Sequence, residues 1–168
     1  VRRAFFSAAA GSPYAFNRAQ ANAIARDKDF AQRVLAACGL ATIPSRLFFT
    51  TTRRAEMRAP GREPEDALGF ARGADYPCFC KPINGAQGSF AEIVCDAGQF
   101  ERYLARVGES HYAILVQPLI SAPEYRVLVL GRRALFCYRK QRPAVIGDGA
   151  ASLAQLFLRA VETKKHDA

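Results

Sequence analysis

Tyr76-Pro77-Cys78-Phe79-Cys80-Lys81-Pro82-Ile83-Asn84-Gly85-Ala86-Gln87-Gly88-Ser89 runs from an apolar segment, through one lysine, into a polar loop with two glycines. Side chains alternate along a strand, so Phe79 and Lys81 share one face while Cys78 and Cys80 share the other. Lys81 thus stands at the end of an otherwise apolar strand, at the mouth of a flexible loop. Gly85 and Gly88 let backbone N–H groups approach an anion closely, and a neighbouring ammonium adds a point charge for phosphate. The segment reads as a phosphate cradle. It reads equally as a β-hairpin whose connection needs glycine and whose lysine faces solvent.

Working outward, Phe90 to Cys95 is a second β-type run, giving a strand, a glycine loop and a strand. Upstream, Asp27 can cap a helix from Lys28 to Cys38 with Ala31, Val34, Leu35 and Cys38 on one stripe and Gly39 at its stop. A strand is expected around Arg46 to Thr50, an exposed loop from Thr51 to Glu65, and a short helix from Glu65 to Ala74. Downstream, Asp96 to Val107 has helical spacing, and Tyr112 to Val116 is a continuous apolar strand ended by Pro118. Tyr125 to Leu130 and Ala134 to Tyr138 flank Gly131-Arg132-Arg133 at hairpin spacing, and Ser152 to Thr163 forms a last amphipathic helix on Leu153, Leu156, Phe157 and Val161. Hairpins mixed with helices predict an α+β fold with antiparallel or mixed sheets rather than a doubly wound parallel sheet. The first 26 residues, Ala- and Arg-rich, carry no clean period and read as the tail of something preceding.

The 168 residues are enough for one domain or two small ones, and a 50% hydrophobic, 23% charged composition argues against disorder or low complexity. The net charge of +9 favours anionic partners. That excess is almost all arginine: 19 Arg against 5 Lys, at positions 28, 81, 140, 164 and 165, which makes each isolated lysine worth attention. Five cysteines without CxxC spacing read as buried free thiols in a reducing compartment, and His111 and His166 are too few and too far apart for a zinc site or a Cys/His pair. No run reaches the roughly 18 to 20 apolar residues of a membrane helix, and no signal peptide follows Val1-Arg2-Arg3. These features read as a cytoplasmic, soluble chain. The absence of an initial methionine reads as an excerpt of a longer one.

A P-loop GxxxxGK[ST] and a dinucleotide fingerprint are both missing. The order of elements points elsewhere. Asp27-Lys28 opens a helix that stops at Gly39, and Pro44 and Tyr76-Pro77-x-x-x-Lys81-Pro82 with its glycine loop follow. Then come Ile114 to Val127, with Gln117-Pro118-Leu119-Ile120 and Glu124 inside it, and Gly147-Asp148-Gly149 before a helix. In order and spacing, from about Asn22 to Leu156, this resembles the ATP-grasp ligases, with likenesses to cyanophycin synthetase, ribosomal-protein glutamate ligases, and D-alanyl-D-alanine and glutathione ligases.

The resemblance implies an ATP-grasp fold of two small subdomains. Residues 27–116 would form the first, 117–168 a hinge and part of the second, and 1–26 the tail of a preceding region. It implies that Lys28 and Lys81 contact the α- and β-phosphates of ATP, and that Asn84, Gly85, Gln87, Gly88 and Ser89 form a mobile loop over the β- and γ-phosphates. Gln117, Leu119 and Ile120 would meet the adenine between two antiparallel sheets, and Glu124 the ribose hydroxyls. Gln117 stands where the family more often has Glu, and keeps a carbonyl acceptor for the adenine amino group. Arg126 and either Arg139 or Lys140 would be cations near the γ-phosphate or acyl-phosphate. Each of these also has an ordinary reading: Arg126 as an outward strand residue, Glu124 as a strand-end charge, and Arg139 to Arg142 as a solvated face. Asp148 fits a turn and a helix cap.

The implied activity is ATP-dependent ligation of a carboxylate to an amine through an acyl-phosphate, with ATP and Mg²⁺ as cofactors and no membrane partner; a homo-oligomer is compatible with it. The departure is at the C-terminus. After Asp148 the only acids are Glu162 and Asp167, and no Glu-x-Asn occurs, so metal ligands are expected outside this chain and nucleotide binding by the chain alone is expected to be weak. Two rivals are a non-catalytic nucleotide-binding module on the same fold and a basic nucleic-acid-binding domain. The latter accounts for the charge but leaves the motif order unexplained.

Overall fold

The computed structural model describes residues 19–141 and 144–166; the expected tail therefore lies mostly outside the described residues. Among the described residues five α-helices and six β-strands follow in the order α1 (Ala19–Arg26), α2 (Lys28–Ala37), β1 (Arg46–Phe49), α3 (Pro64–Ala71), β2 (Cys78–Pro82), β3 (Glu92–Val94), α4 (Ala97–Gly108), β4 (Ala113–Pro118), β5 (Glu124–Leu130), β6 (Arg133–Lys140) and α5 (Leu153–His166). The chain divides into two compact units, one ending at Ile120 and the other beginning at Ser121. Both sheets are antiparallel, so the α+β expectation describes the chain.

In the first unit four strands lie in the order β1-β4-β2-β3. Alternation divides the sheet into two faces. Phe48, Cys78, Cys80, Val94, Ile114 and Val116 pack on Ala67 and Ala71 of α3 and on Phe100, Tyr103, Leu104 and Val107 of α4. Phe100 and Val107 are fully buried, as the i, i+3, i+7 spacing of α4 requires. Asp96 starts that helix by accepting the Gln99 N–H. The opposite face carries a smaller cluster of Ile83, Ala113 and Leu115, with Leu47 and Phe49 against it.

Several expectations change on inspection. Ala19–Arg26, within the stretch read as a tail without a clean period, is helical, a state its alanines favour. Helix α2 begins at the expected cap, where Asp27 accepts the Phe30 N–H, but its stripe stays out of any core, with Val34 37% and Leu35 44% exposed. The segment expected as an exposed loop is partly tied down. Arg58 lies 3.8 Å from the Phe49 ring centroid and pairs with Glu63 at 3.0 Å, and Glu63 and Asp66 form a capping box for α3. Of the thiols expected to be buried, Cys78 and Cys80 are, whereas Cys38, Cys95 and Cys137 are exposed.

The second unit is a β5–β6 hairpin followed by α5. Its register pairs Glu124 with Lys140, Tyr125 with Arg139 and Arg126 with Tyr138, with an irregularity between Leu128 and Val129. Among its described residues none is buried. Ser152 and Gln155 cap α5 reciprocally, while Asp148 accepts the N–H groups of Ala150 and Ala151. Asp148 thus fixes the turn, and the capping role expected of it belongs to Ser152.

Candidate functional site

The first unit gathers its two lysines at the base of the glycine loop. Lys28 is the first residue of α2, and its backbone N–H donates to Ile83 O at 2.9 Å. Its ammonium donates to the carbonyls of Ile83 at 3.3 Å and Gly85 at 3.0 Å. The helix start is therefore fastened to the strand end two residues beyond Lys81. Lys81, opposite Leu115 in the β2–β4 register, projects on the face away from α3 and α4, its ammonium 5.8 Å from the Phe79 ring centroid.

The electrostatics follow from this placement. Burial pulls the Lys81 pKa below the ordinary lysine value, and the nearby Lys28 charge pulls it further. Burial also lowers Lys28, with Asp27 partly offsetting it. Among the described residues no carboxylate forms an ion pair with either lysine. Burial and the Lys28 charge both disfavour the charged form of Lys81, and an anion beside it would lower that cost.

Asn84, Gly85, Gln87, Gly88 and Ser89 are all exposed and form the loop above the lysines. Its backbone takes left-handed φ values at Gly85 (124°), Gln87 (58°) and Gly88 (76°). At φ 124° only glycine is unstrained. The loop's far end is anchored: Tyr103 donates its hydroxyl to Phe90 O at 2.9 Å, and the Phe90 ring meets His111 edge-on at 5.3 Å. Sequence reasoning missed this anchor because Tyr103 and His111 come from α4 and the segment after it, and only the β2–β3–β4 pairing brings them to the loop.

Gln117 pairs with Phe79 in the same register, two positions along from Lys81 and on the same face, roughly 7 Å away along the strand direction. It is 3% exposed, and its Nε2 has no hydrogen-bond partner. A buried amide donor without a partner is uncommon and marks a place where another polar group belongs. Leu119 is half-buried and Ile120 is exposed at 53%.

The second unit places Glu124, Arg126 and Lys140 on one exposed hairpin face. Glu124 accepts from Arg126 Nε at 3.0 Å and stands 3.3 Å from the Lys140 ammonium. Hydrogen bonding from Arg126 holds the Glu124 carboxyl below the usual range, with Lys140 adding to it. Arg139 is one position out of phase, opposite Tyr125, so the register joins Lys140 and not Arg139 to Glu124 and Arg126. Among the described residues there is no cluster of three His, Cys, Asp or Glu able to hold a metal, and no helix is long and apolar enough to cross a membrane.

No family model matches the chain, and no curated protein sequence matches it. Among solved structures the chain is similar to D-alanine–D-alanine ligase from Helicobacter pylori (16% identity, TM-score 0.47) and VanG D-Ala:D-Ser ligase from Enterococcus faecalis (19%, 0.49). It is also similar to D-alanine–D-alanine ligase from Bacillus anthracis complexed with ATP (20%, 0.45). Each covers 64% of this chain, which spans 29%, 28% and 31% of their respective lengths.

Proposed function

We propose that the chain is the ATP-binding portion of an ATP-grasp carboxylate–amine ligase. The observation that supports this best is the pair Lys28 and Lys81: both desolvated, close enough to depress the Lys81 pKa, unpaired with any described carboxylate, and set beneath a glycine loop. In this reading the two ammonium groups hold the α- and β-phosphates, and the backbone of Asn84 to Ser89 covers the β- and γ-phosphates. Gln117, with Leu119 and Ile120, takes the adenine; the unpartnered Gln117 amide is the feature that favours a base there.

In the complete enzyme a substrate carboxylate attacks the γ-phosphate, the bond to the β-phosphate oxygen breaks, and ADP leaves behind an acyl-phosphate. An amine then displaces phosphate to give an amide. The contribution of these residues is positioning and charge neutralisation. Bound Mg²⁺ would add further neutralisation, but the described residues provide no carboxylate cluster for it, and no step is assigned to it.

The test is calorimetric titration of the chain with ATP. Saturable 1:1 binding that is lost in Lys28→Met and Lys81→Met supports the reading. ATP affinity that is unchanged in both variants, each shown to be folded, contradicts it.

A further inference from the structure

A second feature of the first unit lies at the outer edge of its sheet, apart from the lysines. Strand β1 is one of the two edge strands, with β4 on one side only. Thr50 N–H donates to Tyr112 O across the β1–β4 pair, and antiparallel bonding alternates, so the backbones of Arg46 and Phe48 also face β4 while those of Leu47 and Phe49 face outward. The outward Phe49 N–H is taken by Arg62 O at 2.7 Å. Among the described residues, the outward N–H and C=O of Leu47 have no backbone partner.

Beside this open edge is a cavity of about 410 Å³, bordered by α2, by Thr42 to Phe48 and by Pro60 to Arg62. Its polar groups divide into two kinds. Arg33 is neutralised by Asp29 at 2.9 Å, and the Ser45 hydroxyl donates to Gln32, so these four are satisfied within the wall. Arg46 and Arg62 also line it, and among the described residues neither forms an ion pair with a carboxylate; the Arg46 guanidinium rests 5.1 Å from the Phe70 ring centroid.

We propose that this edge is a docking site for an extended acidic segment of another polypeptide, which adds a short strand beside β1. Its main chain exchanges hydrogen bonds with Leu47, extending outward the contact that Arg62 makes with Phe49. Its carboxylates meet Arg46 and Arg62. Strand addition supplies the affinity through the main chain, and the two arginines select the acidic side chains. A free small anion would satisfy the arginines but leave Leu47 unpaired, which is why an extended peptide is the better fit.

The experiment is fluorescence anisotropy of the chain with a fluorescein-labelled Glu-Val-Glu-Val-Glu peptide. Saturable binding is expected, weakened about 10-fold or more by Arg62→Glu and by Arg46→Glu and by methylation of each peptide backbone nitrogen. The methylated peptide needs no protein variant and so stands if a substitution impairs folding. Equal binding of the methylated peptide, equal binding of a Lys-Val-Lys-Val-Lys peptide, full displacement by millimolar citrate, or no saturable binding each overturns the proposal. Because nucleotide plays no part, ATP should leave the peptide affinity unchanged.

Discussion

Lys81→Met separates a binding role from a structural one. Methionine keeps an unbranched apolar stem beside Phe79 and removes only the ammonium, so packing on that face is largely retained. In the free protein Lys81 carries a charge that burial and the Lys28 ammonium both disfavour, and no described carboxylate compensates it. Deleting it should therefore leave folding stability unchanged or slightly raised. ATP binding should respond in the opposite sense. A hydrogen bond to a charged partner contributes about 1.5–3 kcal/mol, which corresponds to roughly a 10- to 150-fold loss of affinity. Calorimetry with ATP and urea denaturation of the free protein, run on the same preparations, read the two effects separately. Unchanged ATP affinity would refute the reasoning, and so would a fall in stability comparable to the fall in affinity, which would make Lys81 a structural residue.

Three further outcomes are expected. Lys28→Met should weaken ATP binding similarly and, by losing its bonds to Ile83 O and Gly85 O, also destabilise the free protein by about 1 kcal/mol, with faster amide exchange at residues 83–89. Gly85→Ala places a Cβ at φ 124° with only the His111 ring nearby at 3.9 Å, so its cost of about 1–3 kcal/mol is backbone strain and should appear in a urea titration. Both lysines are depressed in the folded state, so between their lowered values and the ordinary value of about 10.4 the unfolded chain binds more protons and stability rises with pH. An anion reverses this by favouring the charged forms: ATP affinity should fall as pH climbs through that window, with net proton uptake there measurable by calorimetry in buffers of different ionisation enthalpy.

Local signals made much of the first unit legible. Asp27 and Asp96 cap the helices they precede, and the alternation in Cys78-Phe79-Cys80-Lys81 separates the helix-packed face from the lysine face. The sparseness of lysine singles out Lys28 and Lys81. What the sequence could not carry were contacts between distant segments. The Lys28 bonds to Ile83 and Gly85 span more than fifty residues, and the Arg58–Phe49 contact depends on how the loop folds back. The apolar stripes of α2 and α5 have clear helical period yet remain exposed, because periodicity identifies a face without identifying what covers it. Gln117 reads from sequence as a carbonyl acceptor; its burial with an unpartnered Nε2 is a feature that no residue type announces.

With only five lysines, trace acetylation followed by mass spectrometry, with and without ATP, reads the ligand's footprint at every ammonium in one experiment. The account predicts that ATP lowers the acetylation of Lys28 and Lys81 relative to the free chain, in parallel and at a single midpoint. Protection of neither, or of one alone, would contradict it.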